Sequence, residues 1–184
     1  MGDPKKKHKK YKTPKRPYDE ERLREELRLI GTYGLRNKRE LWRHRTMLRK
    51  YRRIAREMLS LEPAERAKGE RELIRKLYAL GLISKGATLE DVLGLRIEDI
   101  LERRLQTLVY RKGMASSLFQ ARQLIVHGHI AVGGKKVTSP GYIVPREEEG
   151  RIGYTSSSPL AVATHPLRQE LTALQGLRGE GRGE

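Results

Sequence analysis

The chain contains no cysteine, one phenylalanine and one tryptophan in 184 residues. Without cysteine there is no disulfide scaffold, no thiolate zinc site and no cysteine nucleophile. No apolar run approaches the ~18 residues that a membrane-spanning helix needs. The opening MGDPKKKHKK has charges but no apolar stretch behind them, so it does not read as a secretory leader. A cytoplasmic location is the expectation. Acidic residues are scarce: 23 Asp+Glu face 40 Lys+Arg, a formal net charge of +17. Few large aromatics and 36% hydrophobic residues leave material for a thin core, in one domain or two small ones. This excess predicts a polyanionic partner, nucleic acid before an anionic membrane.

The cations are concentrated in the N-terminal half. Residues 5–17 are Lys-rich, interrupted by Pro14 and Pro17, and hold almost nothing apolar. Such a segment cannot build a core, so residues 1–18 are expected to form a disordered basic extension in the free chain. Asp19 is placed to cap a helix carrying Leu23, Leu27 and Ile30 on one face and ending near Gly31. Asn37, with Glu40 three residues on, starts a second helix that runs to about Leu59. At helical spacing, His44, Met47, Leu48, Tyr51, Ile54, Ala55 and Met58 share one arc, with Leu41 at its edge. Arg45, Arg49, Arg52 and Arg56 form a second stripe, with Arg39, Arg43 and Arg53 beside it. Solvated helix faces usually interleave acids at i,i+4. Between Arg36 and Arg56 there are ten Lys/Arg and a single acid, Glu40, so this stripe is expected to meet phosphates.

A further helix is predicted over residues 64–80, with Leu73, Ile74, Leu77 and Leu80 inward and Gly81 at its C-terminus. Thr88 and Asp91 can cap a short helix ending near Gly94. Residues 97–111 read as one amphipathic helix that buries Ile97, Leu101, Leu105 and Leu108 and leaves Arg103, Arg104 and Arg111 outside. Ser117 and Gln120 restart a helix with Leu118, Ala121, Leu124 and Ile125 inward, closed by Gly128. The period then changes. Residues 129–137 read as a β-hairpin around Gly133-Gly134, and residues 142–144 as a further short strand. The exposed edge of this unit carries Arg103, Arg104, Arg111, Lys112, Ser116, Ser117, Arg122, His127, His129, Lys135 and Lys136.

The stretch ERRLQTLVYRKGMASSLFQARQLIVHGHIAVGGKKV resembles the RNA-binding module named after small-subunit ribosomal protein S-four, and ARQLIVHGHI is its most diagnostic part. RPYDEERLREELRLIGTYGLRNKRELWR resembles that ribosomal protein family in its archaeal and eukaryotic form. Together the two stretches cover roughly residues 16–150. The resemblance implies that Arg103, Arg104, Ser116, Ser117, Arg122, Gln123, His127, Gly128, His129 and Lys135 face RNA. Free backbone N–H groups at a helix N-terminus suit phosphate near Ser116 and Ser117, and Arg122 can fork onto phosphate oxygens. Gly133-Gly134 stands where many members have Asn-Gly, and Leu118 where many have a cation, which removes one contact. The zinc that some bacterial relatives hold through cysteines has no ligands here.

The expected fold is α+β, mainly helical: a basic helical domain over residues 19–100, then a small module of two helices packed on a short antiparallel β-sheet over residues 101–153. Residues 154–184 read as a tail that folds back on the helical domain. His127 and His129 lack a third ligand, so no metal is expected, and no cofactor. No GxxxxGK[ST], GxSxG or HExxH pattern is present, so no enzyme is expected. The resemblance implies a structural rRNA-binding component of the small ribosomal subunit, present in one copy rather than as a homo-oligomer. Its partners would be small-subunit rRNA, neighbouring ribosomal proteins and the region where mRNA enters. The module also occurs in RNA-modifying and tRNA-acting proteins, the competing reading. Non-specific DNA binding is a third.

Overall fold

A computed structural model describes residues 8–172 except residue 163. Five helices build the N-terminal half: α1 (Glu20–Tyr33), α2 (Lys38–Leu59), α3 (Pro63–Ala79), α4 (Leu89–Gly94) and α5 (Ile97–Glu102). The caps act where the sequence places them. The Asp19 carboxylate accepts the Arg22 N–H, and the Asn37 side chain accepts the Glu40 N–H at 3.1 Å. Thr88 and Asp91 close a capping box on α4.

Long α2 is the axis of this half. It packs on α1, α3, α4 and α5. Its Leu41, Leu48, Tyr51 and Ala55 join Leu73 and Leu77 of α3, Val92 of α4 and Ile100 of α5 in one core. The first helix departs from expectation. It runs past Gly31 to Tyr33, buries Glu26, Leu29 and Tyr33, and leaves Leu27 exposed. The inner face is thus rotated towards Leu29, and the chain turns at Gly34 (φ +57) instead. Any Cβ at Gly34 would lie 2.8 Å from the Leu118 Cβ, so glycine both permits the turn and lets the two halves meet.

The predicted helix over 97–111 is two helices. After α5 comes α6 (Leu105–Arg111), and the break falls at Arg103-Arg104. No glycine or proline causes it. Instead residues 140–144 run alongside: Leu105 N–H donates to the Tyr142 carbonyl, Val144 N–H to the Arg103 carbonyl, and Arg104 bridges Ile143. With the Gln106 N–H donating to the Pro140 carbonyl, the Leu105 bond satisfies first-turn N–H groups that α6 would otherwise leave orphaned. Residues 142–144, expected as a strand, supply this single bridge and no ladder.

Helix α7 (Leu118–Val126) packs on α6, with Ala121, Leu124 and Ile125 buried. The hairpin β1 (Ile130–Val132) and β2 (Lys135–Lys136) closes through Gly133 (φ +57) and Gly134 (φ +81), the geometry that a two-residue turn between twisted strands needs. Short α8 is Arg146–Glu149. The third strand is β3 (Ile152–Tyr154), which pairs with β1 to give the order β2-β1-β3. A second core, from Leu105 to Leu160, fills the module.

Residues beyond β3 fold back on the module. Ser158 Oγ contacts His129 Nδ1 at 2.9 Å, Leu160 enters the second core, and the Arg168 guanidinium lies over the Tyr154 ring. The expected docking on the helical domain is therefore corrected for this segment: Leu160 is the apolar anchor, and the module's core is where it is buried. Residues 166–172 are helical. Residues 1–7 of the basic extension and 173–184 of the tail lie outside the described residues. Residues 8–18 have no helix or strand, but Tyr11 packs on Trp42 and Lys12 N–H donates to Thr46 Oγ1.

Candidate nucleic-acid interface

Two carboxylates, buried Glu26 and half-buried Glu40, decide which cations are free. Glu26 of α1 is fully buried and accepts from Arg22, from Trp42 Nε1 at 3.0 Å and from Arg45, with Lys38 3.6 Å away. Arg45 also pairs with Glu25 at 2.8 Å. Arg52 reaches the Leu95 carbonyl. Arg45 and Arg52, expected in the phosphate-facing stripe, therefore bend back onto the protein. The sign lies in Glu26 itself, which falls at helical spacing between Leu23 and Leu29, on the inner side of α1.

The rest of α2 stays open. Arg39, Arg43, Arg49 and Arg56 are exposed and make no hydrogen bond or ion pair among the described residues, and Lys50 is likewise free. Arg53 pairs only with Glu57, both well exposed, an association worth little in water. Like charges at this density cost an isolated helix stability. Arg96, outside the expected set, is exposed on the rim of a cleft of about 460 Å³ that Arg49 and Arg52 also line. It follows no helical stripe, so nothing in the sequence marked it.

Glu40 is the second carboxylate. It accepts from Arg104 at 2.7 Å and from Arg122 at 2.9 Å. Arg122 also donates to Gln106 Oε1, and the Gln106 amide donates to the carbonyls of Gly34 and Leu118. Arg104 and Gln106 have no exposed surface. This network ties α2 to both helices of the module. Arg104, expected to face RNA, is instead an internal cation, because the break after α5 turns it inward onto Glu40. Burial works to raise the Glu40 pKa, but the Arg122 hydrogen bond and the charges of Arg104 and Arg122 outweigh it and hold the carboxyl below its usual range. Burial, then the Arg104 charge, pushes neighbouring His44 down to about 4.

Most other expected module contacts are also engaged. Arg103 holds Glu149 at 2.6 Å and the Val144 carbonyl, Arg111 holds Glu102 at 2.8 Å, and Lys112 holds the Glu149 carbonyl. Ser117 caps α7 through the Gln120 N–H, while the Ser116 N–H and hydroxyl meet Gln120 Oε1. His129 is half-buried against Ser158. Lys135, Lys136, Gln123 and His127 remain exposed. Among the described residues no group of three or more His, Cys, Asp or Glu could hold a metal ion, and no helix is long and apolar enough to cross a membrane.

Comparison with known proteins divides the chain where its cores divide. The Ribosomal protein S4/S9 N-terminal domain family matches residues 5–102, and the S4 domain family residues 103–149. The small ribosomal subunit protein uS4 of Ignicoccus hospitalis is 57% identical over 86% of this chain and 96% of its own length. That of Sulfurisphaera tokodaii is 56% identical over 92% of this chain and 96% of its own. That of Metallosphaera sedula is 55% identical over 86% and 89%. With two families end to end and relatives matched over nearly their whole length, this chain belongs to the uS4 family of small ribosomal subunit proteins.

Proposed function

We propose that the chain is a structural, non-enzymatic component of the small ribosomal subunit that binds its rRNA directly. The observation that carries this reading is the open arc of α2: Arg39, Arg43, Arg49 and Arg56 stay exposed and have no partner among the described residues, while buried Arg104 is held by Glu40. The exposed edge of the module, with Gln123, His127, Lys135 and Lys136, is the second surface. Glu40 holds the two at one angle, so together they can clamp RNA backbones that meet at a junction. Side chains cannot enter the narrow major groove of A-form RNA, so shape and phosphate contacts dominate over base reading in its helices.

In this reading the protein binds early and nucleates assembly of the subunit body beside neighbouring ribosomal proteins. From a place near where mRNA enters, it contributes to translational accuracy. It is ribosome-bound in the cytoplasm. The test is the salt dependence of binding to a small-subunit rRNA fragment. Eight neutralised phosphates give a log–log slope of about −6 to −7. A slope near zero contradicts the reading.

A further inference from the structure

The C-terminal segment and α7 enclose a second cleft, of about 350 Å³. Its floor is apolar, from Leu124 and Leu160, and Leu167 forms one wall. Its polar edges are Gln120, Gln123, His127, His129 and His165, of which Gln120 is already engaged by Ser116 and His129 by Ser158. An apolar floor with a few convergent amide and imidazole groups is the composition of a small-molecule site rather than of a phosphate site, and the volume is at the low end for such clefts. Among the described residues no carboxylate and no Lys or Arg lines it.

The surroundings point to what enters. The chain's only phenylalanine, Phe119, is 71% exposed on α7, and Val126, two turns on, is 52% exposed. Gln123 and His127 lie on the groove side of that crest, whereas Arg122 points the other way to Glu40 of α2. The crest of α7 thus separates the arginine face of α2 from the cleft. An RNA strand held by its phosphates on the α2 side meets an apolar ridge and then a cleft with an apolar floor and polar edges.

We propose that this cleft takes one unstacked base of the bound rRNA, with Phe119 at its lip. Single-stranded RNA is read by splaying bases out onto apolar and aromatic side chains and hydrogen-bonding their edges. Leu124 and Leu160 cover the faces of the base, and the Gln123 amide and the His127 imidazole meet its edge. The site needs Pro159, Leu160, His165 and Leu167, which lie outside both matched family segments. This inference rests on the rRNA-binding reading.

The test uses the full-length protein and a small-subunit rRNA fragment prepared with a single abasic ribose at each unpaired position in turn. Leu167→Trp fills the cleft from a partly exposed position and weakens binding about tenfold, the worth of one stacked base. Gln123→Ala weakens it about fivefold. Neither changes the salt slope, because no phosphate contact is lost. One abasic position costs the wild type about tenfold and costs Leu167→Trp nothing further. Val162→Trp, exposed on the same segment but outside the cleft, leaves affinity unchanged. Affinities of Leu167→Trp and Gln123→Ala within twofold of wild type overturn the proposal. So does a loss accompanied by a shallower slope. If the wild type binds no fragment, the rRNA reading itself fails, and this inference with it.

Discussion

The two halves of the molecule treat their cations in opposite ways. On α2, Arg45 and Arg52 fold back onto carboxylates or a carbonyl, Arg53 pairs with exposed Glu57, and Arg39, Arg43, Arg49 and Arg56 have no partner among the described residues. In the module, Arg103, Arg104, Arg111 and Arg122 are all held by Glu149, Glu102 or Glu40. Net charge is therefore a poor guide to which surface binds a polyanion. What matters is whether a carboxylate is already there. The module offers a shaped edge with few free charges; α2 offers free charges on a plain helix. The Glu40 carboxylate belongs to α2 but holds Arg104 and Arg122 of the module, and so sets the angle between them.

The comparison breaks most visibly at Glu40. Glu40→Ala strands buried Arg104 without a partner, and removing one member of a buried pair costs about 3 kcal/mol or more. Urea unfolding should show that loss, and a smaller one for Glu40→Gln, which keeps one acceptor. A loss below 1 kcal/mol removes Glu40 from its place between the halves.

His44 gives an effect of similar size but with a pH signature. Its pKa is about 4 when folded, against the ordinary 6.5 of a histidine in the unfolded chain. Between these the unfolded chain binds the proton and the native one does not. Stability is therefore full above pH 6.5 and falls by about 3 kcal/mol as pH drops towards 4. The lowered Glu40 pKa acts in a separate window below 4.5. Unfolding of His44→Leu should be flat across pH 6.5–4.5; an unchanged slope assigns the effect elsewhere.

The smallest effect sharpens the contrast from the other side. Arg111→Ala removes an ion pair that is largely in solvent, 57% and 38% exposed, and should change unfolding by less than about 0.5 kcal/mol. A larger change means that this pair supports the fold as Glu40 does.

Local signals were legible in the sequence. Asp19, Asn37, Thr88 and Ser117 cap the helices expected of them, and Gly133-Gly134 turns the hairpin. The core arc of α2 also follows its periodicity. What was not legible depends on distant segments. The break between α5 and α6 exists because residues 140–144 bond to it. Strand β3 has only three residues and no alternation to read. Arg45, Arg104 and Arg122 looked free because their carboxylates come from another helix. A count along α2 alone finds only Glu40 before Arg56, whereas Glu25 and Glu26 arrive from α1.

The central claim is that α2 supplies most of the phosphate contacts and the module few. Salt titration of rRNA binding tests it most directly, comparing Arg39→Ala/Arg43→Ala/Arg49→Ala/Arg56→Ala with Lys135→Ala/Lys136→Ala. Each lost phosphate contact flattens the log–log slope by about 0.7 to 0.9. The α2 variant should flatten it by about 3 and the hairpin variant by no more than about 1.5. Equal changes, or a larger one from the hairpin, contradict the account.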